Sequence, residues 1–124
     1  MKKIVVLGAS DKPDRYSYQA VNLLHEKGYA VLPIHPKLKK IDDHKVYNSL
    51  NEVSDAFPGG IHTLSLYINP EISSAAKEDI LKLNPRRVIF NPGTENPELE
   101  QALKEHNIET LEACTLVMLR TGQF

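Results

Sequence analysis

The segment after the first predicted strand holds the side chains best suited to bind phosphate. Gly8 directly follows the apolar run Ile4–Leu7, and a glycine at a strand end lets the backbone turn tightly. The helix that follows would point free N–H groups and the positive end of its dipole at an anion. Hydroxyl and cationic side chains accompany the turn at Ser10, Lys12, Arg15 and Ser17. These residues predict a diphosphate site, although a plain strand-to-helix turn explains them equally well.

The glycine pattern separates this loop from two common nucleotide motifs. Of the three glycines in the dinucleotide fingerprint G-x-G-x-x-G, only the first, Gly8, is present. The P-loop pattern G-x-x-x-x-G-K-[ST] is absent from the chain. The loop therefore indicates an anion site without identifying the nucleotide.

The loop after the second predicted strand discriminates between nucleotides. An NAD site needs an acidic residue at the end of this strand to hold the ribose hydroxyls. The sequence instead reads His35-Pro36-Lys37-Leu38-Lys39-Lys40, with no acid before Asp42. Lysines suit an additional ribose phosphate, such as that of NADP or the 3′-phosphate of coenzyme A. A solvated run of lysines is the alternative interpretation.

Two further loops follow predicted strands and contain proline or glycine. They are Ile68-Asn69-Pro70 and Asn91–Asn96, the second of which includes Pro92 and Gly93. Proline leaves backbone groups free and glycine has no side chain, so a thin ligand could pass close to either loop. Asn69 and Asn96 each precede a proline, which is a helix-start signal with or without a ligand.

Alternating strand and helix patterns position these loops. Short apolar runs predict strands at Ile4–Leu7, Ala30–Ile34, within Ile61–Ile68, at Val88–Phe90 and at Ile108–Leu111. Spacing and end signals predict helices over Ser17–Lys27, Leu50–Phe57, Asn69–Leu83, Asn96–His106 and Thr115–Leu119. This order predicts one α/β domain over residues 1–124, a Rossmann-like three-layer αβα domain with a five-stranded parallel sheet and the Ile4 strand near its centre. Ligand loops would then gather at the carboxyl ends of the strands.

Three local patterns carry further predictions. The stretch Lys37–Lys45 is too charged for a core and predicts a surface loop. The third strand, within Ile61–Ile68, is expected to be alternating or half-buried. Helical spacing predicts the buried stripe of a single helix at Ile72, Ala75, Ala76, Ile80 and Leu83.

Composition limits the class of protein and its partners. A net charge of −1 over 124 residues argues against strong non-specific binding to nucleic acid or anionic membranes. No apolar stretch approaches the length of a membrane span. Cys114 is the only cysteine, so a reducing compartment is the simplest interpretation. We therefore expect a soluble cytoplasmic protein with a small-molecule ligand and no nucleic-acid or membrane partner, and leave open a protein partner or a homo-oligomer.

Four segments taken together resemble the CoA-binding domain family. They are IVVLGASDKPDRYS at Ile4–Ser17, GYAVLPIHP at Gly28–Pro36, VYNSL at Val46–Leu50 and NPGTE at Asn91–Glu95. This family consists of small stand-alone relatives of the amino-terminal domain of the succinyl-CoA synthetase α subunit. The resemblance covers nearly the whole chain in the same element order, and it implies coenzyme A or an acyl-CoA as the cofactor.

The resemblance also implies which residues contact that cofactor. In the family the cofactor lies over the first loop and over the ends of strands two and three. The contacts implied here are Gly8, Ala9, Ser10, Asp11, Lys12 and Pro13, then His35, Pro36 and either Lys37 or Lys39, and then Ile68, Asn69 and Pro70. The synthetase has an additional glycine near the place where Asp11 stands in this chain.

The residues favour a binding protein over an enzyme. No paired carboxylates, Ser–His–Asp set or metal-ligand spacing is evident. The resemblance implies the same, because the synthetase reaction needs a phosphorylated histidine from a second domain and a nucleotide-binding partner subunit. Cys114 lies amid apolar residues and is expected to be buried and inert. We expect a regulatory or carrier domain without catalysis of its own.

Two other interpretations stay open at this point. One is a small NADP- or nucleotide-dependent enzyme, since the lysines after His35 disfavour NAD without separating NADP from coenzyme A. The other is a domain that serves only in protein association and has lost its cofactor site.

Overall fold

A computed structural model describes residues 1–124 of the chain. The strands are β1 (Lys3–Leu7), β2 (Ala30–Ile34), β3 (Lys40–Ile41), β4 (His44–Lys45), β5 (Thr63–Leu66), β6 (Arg87–Phe90) and β7 (Glu109–Glu112). The helices are α1 (Tyr16–Glu26), α2 (Leu50–Ala56), α3 (Pro70–Ala75), α4 (Lys77–Leu83), α5 (Pro97–Glu105) and α6 (Thr115–Arg120).

Five strands form one parallel sheet in the order β2-β1-β5-β6-β7, which confirms the predicted α/β fold. β1 pairs with β2 on one side and with β5, the central strand, on the other. The chain thus adds β2 on one side of β1, and then adds β5, β6 and β7 in turn on the other side. Because the strand order reverses between β1 and β5, the fold forms a crevice beyond their carboxyl ends, where doubly wound sheets bind ligands.

Helices cover both faces of the sheet. One buried cluster joins Val5, Leu64 and Val88 of the sheet to Val53 of α2, Ile80 of α4 and Leu103 of α5. The other joins Ile4 and Val6 to Val21 and Leu24 of α1 and to Leu119 of α6. Burial on both sides explains the continuous apolar runs of the strands. It also shows that the third strand was predicted wrongly, because all four residues of β5 are buried.

The charged stretch Lys37–Lys45 contains a short hairpin, so its prediction as a surface loop was wrong in part. β3 and β4 pair antiparallel next to a turn in which Asp42 has a φ of 51°. Ile41 of β3 is fully buried in the cluster beneath α1. Tyr18 of α1 donates to Asp42 Oδ2 at 2.6 Å. The buried isoleucine and the hydrogen bonds from Tyr18 and Asn22 of α1 therefore hold the hairpin on this helix despite its charged neighbours.

After the hairpin, the chain returns alongside the outer edge of β2. The Tyr47 N–H donates to Pro33 O at 2.8 Å, and Tyr47 O accepts from His35 N at 2.9 Å. This parallel bridge carries the chain to α2, directly beside the end of β2.

The helix predicted over Asn69–Leu83 is two helices that meet at Ala76. Ala76 has φ −91° and ψ 5°, which ends α3 before α4 begins. Ile80 and Leu83 of α4 are buried as predicted, but Ile72 of α3 is 53 % exposed. The predicted single stripe was therefore wrong for Ile72 and for Ala75, which is also exposed, because the break lets α3 lie over the crevice instead of over the sheet.

Candidate functional site

Gly8 directly follows β1 and lies against the chain that follows β5. Its φ is +91°, a conformation that side chains disfavour. A Cβ at this position would lie 2.6 Å from Tyr67 O and 2.9 Å from Ile68 Cγ2. The next residue, Ala9, donates its N–H to Ile34 O at 3.1 Å. Glycine is thus required both by the backbone angle and by the approach of the chain after β5.

A polar cavity of about 440 Å³ opens on one side of Gly8. Its lining residues are Gly8, Ser10, Asp14, Arg15, Tyr16, Ser17 and Tyr67. α1 begins here, and its N-cap residue Arg15 forms no side-chain capping hydrogen bond. The first N–H groups of this helix are therefore without a side-chain cap, which favours an anion at this end.

Two serines add hydroxyl groups to the polar cavity. Ser10 Oγ accepts the N–H of Lys12 at 3.1 Å, so the hydroxyl orders its own loop and keeps its hydrogen for another acceptor. Ser17 lies in the first turn of α1 and is only 6 % exposed. Both serines were predicted for this role, and the structure brings them together with Gly8 and Arg15.

An apolar cavity of about 290 Å³ also has Gly8 in its lining. Its hydrophobic lining comes from the ends of β1 and β2 and from residues near α2 and α3, and includes Leu7, Ile34, Leu50, Ile68 and Ile72. The exposed side chain of Ile72 therefore lies on a concave surface. Tyr16, 67 % exposed, borders the polar cavity in the same way. Exposed apolar side chains around a cleft are typical of a ligand site.

The lysine loop, residues 36–39, turns beside the apolar cavity. The ring of His35 closes this turn, since Nδ1 accepts the N–H groups of Lys37 at 3.0 Å and of Leu38 at 3.1 Å. In the neutral ring the hydrogen must then be on Nε2. Lys37 and Lys39 are exposed and pair with no carboxylate, as the ion pairs of the chain are Lys82–Asp55 and Lys104–Glu100.

The loops after β5 and β6 contain the predicted helix caps. Asn69 Oδ1 accepts from Ile72 N at 2.9 Å, and Asn96 Oδ1 accepts from Leu99 N at 3.1 Å. Asn96 Nδ2 also donates to Ser73 Oγ at 2.9 Å, which ties the start of α5 to α3. The capping roles predicted for both asparagines are confirmed.

The predicted contact residues do not all meet at the two cavities. Those that line a cavity are Gly8, Ser10, Arg15, Ser17, Pro36 and Ile68. Those that lie in the same loops outside the linings are Ala9, Asp11, Lys12, Pro13, His35, Lys37, Lys39, Asn69 and Pro70. Pro92 and Gly93 also line neither cavity, and Gly93 N donates to Glu95 Oε1 at 2.9 Å.

Several lining residues were absent from the sequence prediction. They are Leu7, Asp14, Tyr16, Ile34, Asn48, Ser49, Leu50, Tyr67, Ile72, Ala76 and Asp79. Tyr67 and Ile72 flank the predicted loop Ile68–Pro70, so a search for large side chains beside that loop could have found them. Burial raises the pKa of Tyr67 to about 12, so its hydroxyl stays protonated at neutral pH.

A buried polar network lies beneath the crevice. Ser65 Oγ and Thr115 Oγ1 are 2.8 Å apart, and Asn91 Nδ2 donates to Ser65 Oγ at 2.8 Å. All three side chains are buried. Cys114, the residue before Thr115, is partly exposed, which corrects the prediction that it is buried.

The fold and the crevice define a class of protein, a doubly wound α/β domain with a ligand crevice where the strand order reverses. Residues 2–120 match the CoA binding domain family. The chain therefore belongs to this family, as its four segments predict. None of its helices is long and apolar enough to cross a membrane.

Two solved structures resemble this chain in sequence and fold, and a bacterial relative resembles it in sequence. The crystal structure of an uncharacterized protein is 41 % identical with a TM-score of 0.88, covering 100 % of this chain and 98 % of that one. A hypothetical protein from Pyrococcus horikoshii OT3 is 30 % identical with a TM-score of 0.84, covering 97 % and 82 %. The uncharacterized protein YneT of Bacillus subtilis (strain 168) is 29 % identical over 104 residues, or 84 % of this chain and 74 % of YneT.

Proposed function

We propose that this protein binds coenzyme A or an acyl-CoA in the crevice between β1 and β5, as a regulatory or carrier domain without catalysis of its own. The observation that carries the proposal is that Gly8 lines both a polar cavity and an apolar cavity, so the two adjoin at this residue. Coenzyme A has the matching parts, a flat adenine ring linked through a ribose to a diphosphate. Membership of the CoA binding domain family supports the same ligand.

The polar cavity suits the diphosphate. The uncapped first turn of α1 contributes N–H groups and the positive end of the helix dipole. Ser10, Arg15 and Ser17 add hydroxyl and guanidinium donors at the same place. Asp14 shares this lining and forms no ion pair with Arg15, so its carboxylate opposes phosphate. The balance favours an anion because the donors outnumber the single acid.

The apolar cavity suits the adenine ring. Its hydrophobic side chains come from separate segments of the chain, and one of them, Ile72, is half exposed. Covering Ile72 with a flat base would remove apolar surface from water. The lysine loop adjoins this cavity through Pro36, which supports Lys37 or Lys39 as the partner of the ribose 3′-phosphate.

Calorimetry with a ligand series tests the proposal. We expect coenzyme A and acetyl-CoA to bind, dephospho-CoA to bind more weakly, and NAD to bind least, because the end of β2 offers lysines in place of an acid. At a concentration one hundred times its dissociation constant, the ligand should also stabilise the fold by about 2.7 kcal/mol. NAD binding at equal or better affinity would contradict the proposal. NADP as the tightest ligand would instead favour the small NADP-dependent enzyme.

A turnover assay tests the absence of catalysis. Neither histidine nor cysteine lines the two cavities, which supports a binding role. We expect no acyl-CoA from the purified chain with coenzyme A, a carboxylic acid and ATP. An acyl-CoA-forming activity that co-purifies with the chain and is lost in the Gly8→Val variant would show that the protein is an enzyme.

A further inference from the structure

Asn48 joins the two ends of the lysine loop. Its Nδ2 donates to His35 O at 2.9 Å and to Leu38 O at 3.1 Å. Its own backbone N–H donates to Glu52 Oε2 at 3.1 Å, which anchors it to the first turn of α2. One side-chain amide thus connects the end of β2, the lysine loop and α2.

The other hydrogen bonds of this loop also involve its backbone groups. Nδ1 of His35 accepts the N–H groups of Lys37 and Leu38 from inside the turn. Val46 N donates to Lys39 O at 3.0 Å from the hairpin side. The loop conformation is therefore set by these backbone bonds, while the lysine side chains extend into solvent.

We propose that Asn48 is a positioning residue that makes the crevice specific for a ribose bearing its own phosphate, by holding the lysine loop in one conformation. This inference rests on the proposed function and adds the residue that sets its ligand specificity. A loop already held in place presents its lysines without the cost of ordering the backbone on binding, although the side chains themselves must still be ordered. Asn48 also lines the apolar cavity, so it fixes the loop relative to the place proposed for the adenine.

Affinities for coenzyme A and dephospho-CoA test this role in Asn48→Ala and Asn48→Asp. Aspartate has nearly the same size as asparagine, but its carboxylate only accepts and would repel the carbonyls of His35 and Leu38. Both variants also lose the contact of Asn48 with the apolar cavity, which affects both ligands, so we expect coenzyme A to lose about tenfold more affinity than dephospho-CoA. Thr110→Val is the matched control, since it removes one side-chain hydrogen bond to Glu100 at the opposite edge of the sheet. It should keep both affinities.

Amide hydrogen exchange tests the same role without any ligand. The N–H groups of Lys37 and Leu38 should exchange faster in Asn48→Ala and at the parental rate in Thr110→Val. His35→Asn, which retains an acceptor near the position of Nδ1, should keep more protection than His35→Leu.

Two results would overturn the inference. One is an equal loss of coenzyme A and dephospho-CoA, or no loss of either, in Asn48→Ala. The other is unchanged exchange at Lys37 and Leu38 in that variant. Failure of the parent protein to bind coenzyme A would contradict the proposed function instead, and the exchange rates would still decide whether Asn48 holds the loop.

Discussion

Asn91 Oδ1 accepts the backbone N–H of Thr115 at 2.8 Å, so a side chain at the end of β6 caps the first turn of α6. The same side chain donates through Nδ2 to Leu66 O at 2.8 Å. One buried amide therefore binds two strand ends to a helix start. α6 needs this partner, because its own N-cap residue, Cys114, forms no side-chain capping bond.

Replacing Asn91 by alanine should destabilise the fold. The change leaves the N–H of Thr115 and the carbonyl of Leu66 buried without their partner, and such groups together cost about 2–3 kcal/mol. Urea unfolding measures the loss. Asn69→Ala is the comparison, since it removes an exposed cap and should cost about 1 kcal/mol. Equal losses for the two variants would contradict the importance of the buried amide.

Gly8→Ala and Gly8→Val should abolish coenzyme A binding and destabilise the fold. Even one Cβ at this position meets Tyr67 O at 2.6 Å, so the chain after β5 must move and both cavities change shape. Gly28→Ala is the matched control, because Gly28 has φ +92° and a Cβ added there would meet no atom within 4 Å. It should lose about 1–2 kcal/mol from strain alone and keep its affinity. Calorimetry and urea unfolding of the same samples separate the two effects.

Replacing Lys37 and Lys39 together by alanine should weaken coenzyme A binding about ten- to a hundredfold. The change removes charge at the proposed 3′-phosphate and leaves the fold alone, since both side chains are exposed. Dephospho-CoA should bind the variant and the parent equally well. The double variant Lys27→Ala/Lys104→Ala carries the same change of net charge away from the crevice. If coenzyme A and dephospho-CoA lose affinity in the same proportion, these lysines do not contact the 3′-phosphate.

Ile72→Ala should weaken ligand binding with little effect on stability. Ile72 is 53 % exposed and lines the apolar cavity, so the free energy of unfolding should change by no more than about 0.5 kcal/mol. Ile80→Ala in α4 provides the contrast, because Ile80 is fully buried and its loss should cost about 2–5 kcal/mol. A large loss of stability in Ile72→Ala would assign this residue to the core.

The stability of the protein should decrease as the pH falls below about 6.5. Burial, followed by the charge of His25, lowers the pKa of His44 from its usual 6.5. A histidine whose pKa is lower in the folded state stabilises the fold above its unfolded pKa and loses that contribution as the pH falls through the folded value. Unfolding midpoints in urea at pH 7.5 and 5.5 measure the change. His44→Asn should show a smaller decrease than the parent, whereas His106→Gln, at an exposed position, should follow the parent.

Sequence patterns predict the scaffold of this fold better than the walls of its crevice. Five apolar runs and their connecting helices specify the parallel sheet, and Gly8 is found from its place after a strand. Ile41 was missed because one isoleucine in a two-residue strand among lysines and aspartates hardly changes the average hydropathy of its segment. Ile72 was assigned to the core because helical spacing identifies the apolar face of a helix without showing what covers that face. The linings of the cavities need contacts between distant segments, which spacing along the chain does not contain.

The bridge between Tyr47 and the outer side of β2 also affects the tendency of the protein to aggregate at high concentration. β2 is an edge strand, and an exposed edge is a template for pairing with strands of other molecules. Tyr47 occupies hydrogen-bonding groups at Pro33 and His35, and Pro33 itself has no N–H to offer. At the far edge, β7 begins and ends with the exposed acids Glu109 and Glu112, which repel their counterparts on an approaching strand. Both sides of the sheet thus resist the strand-to-strand addition by which β-proteins aggregate.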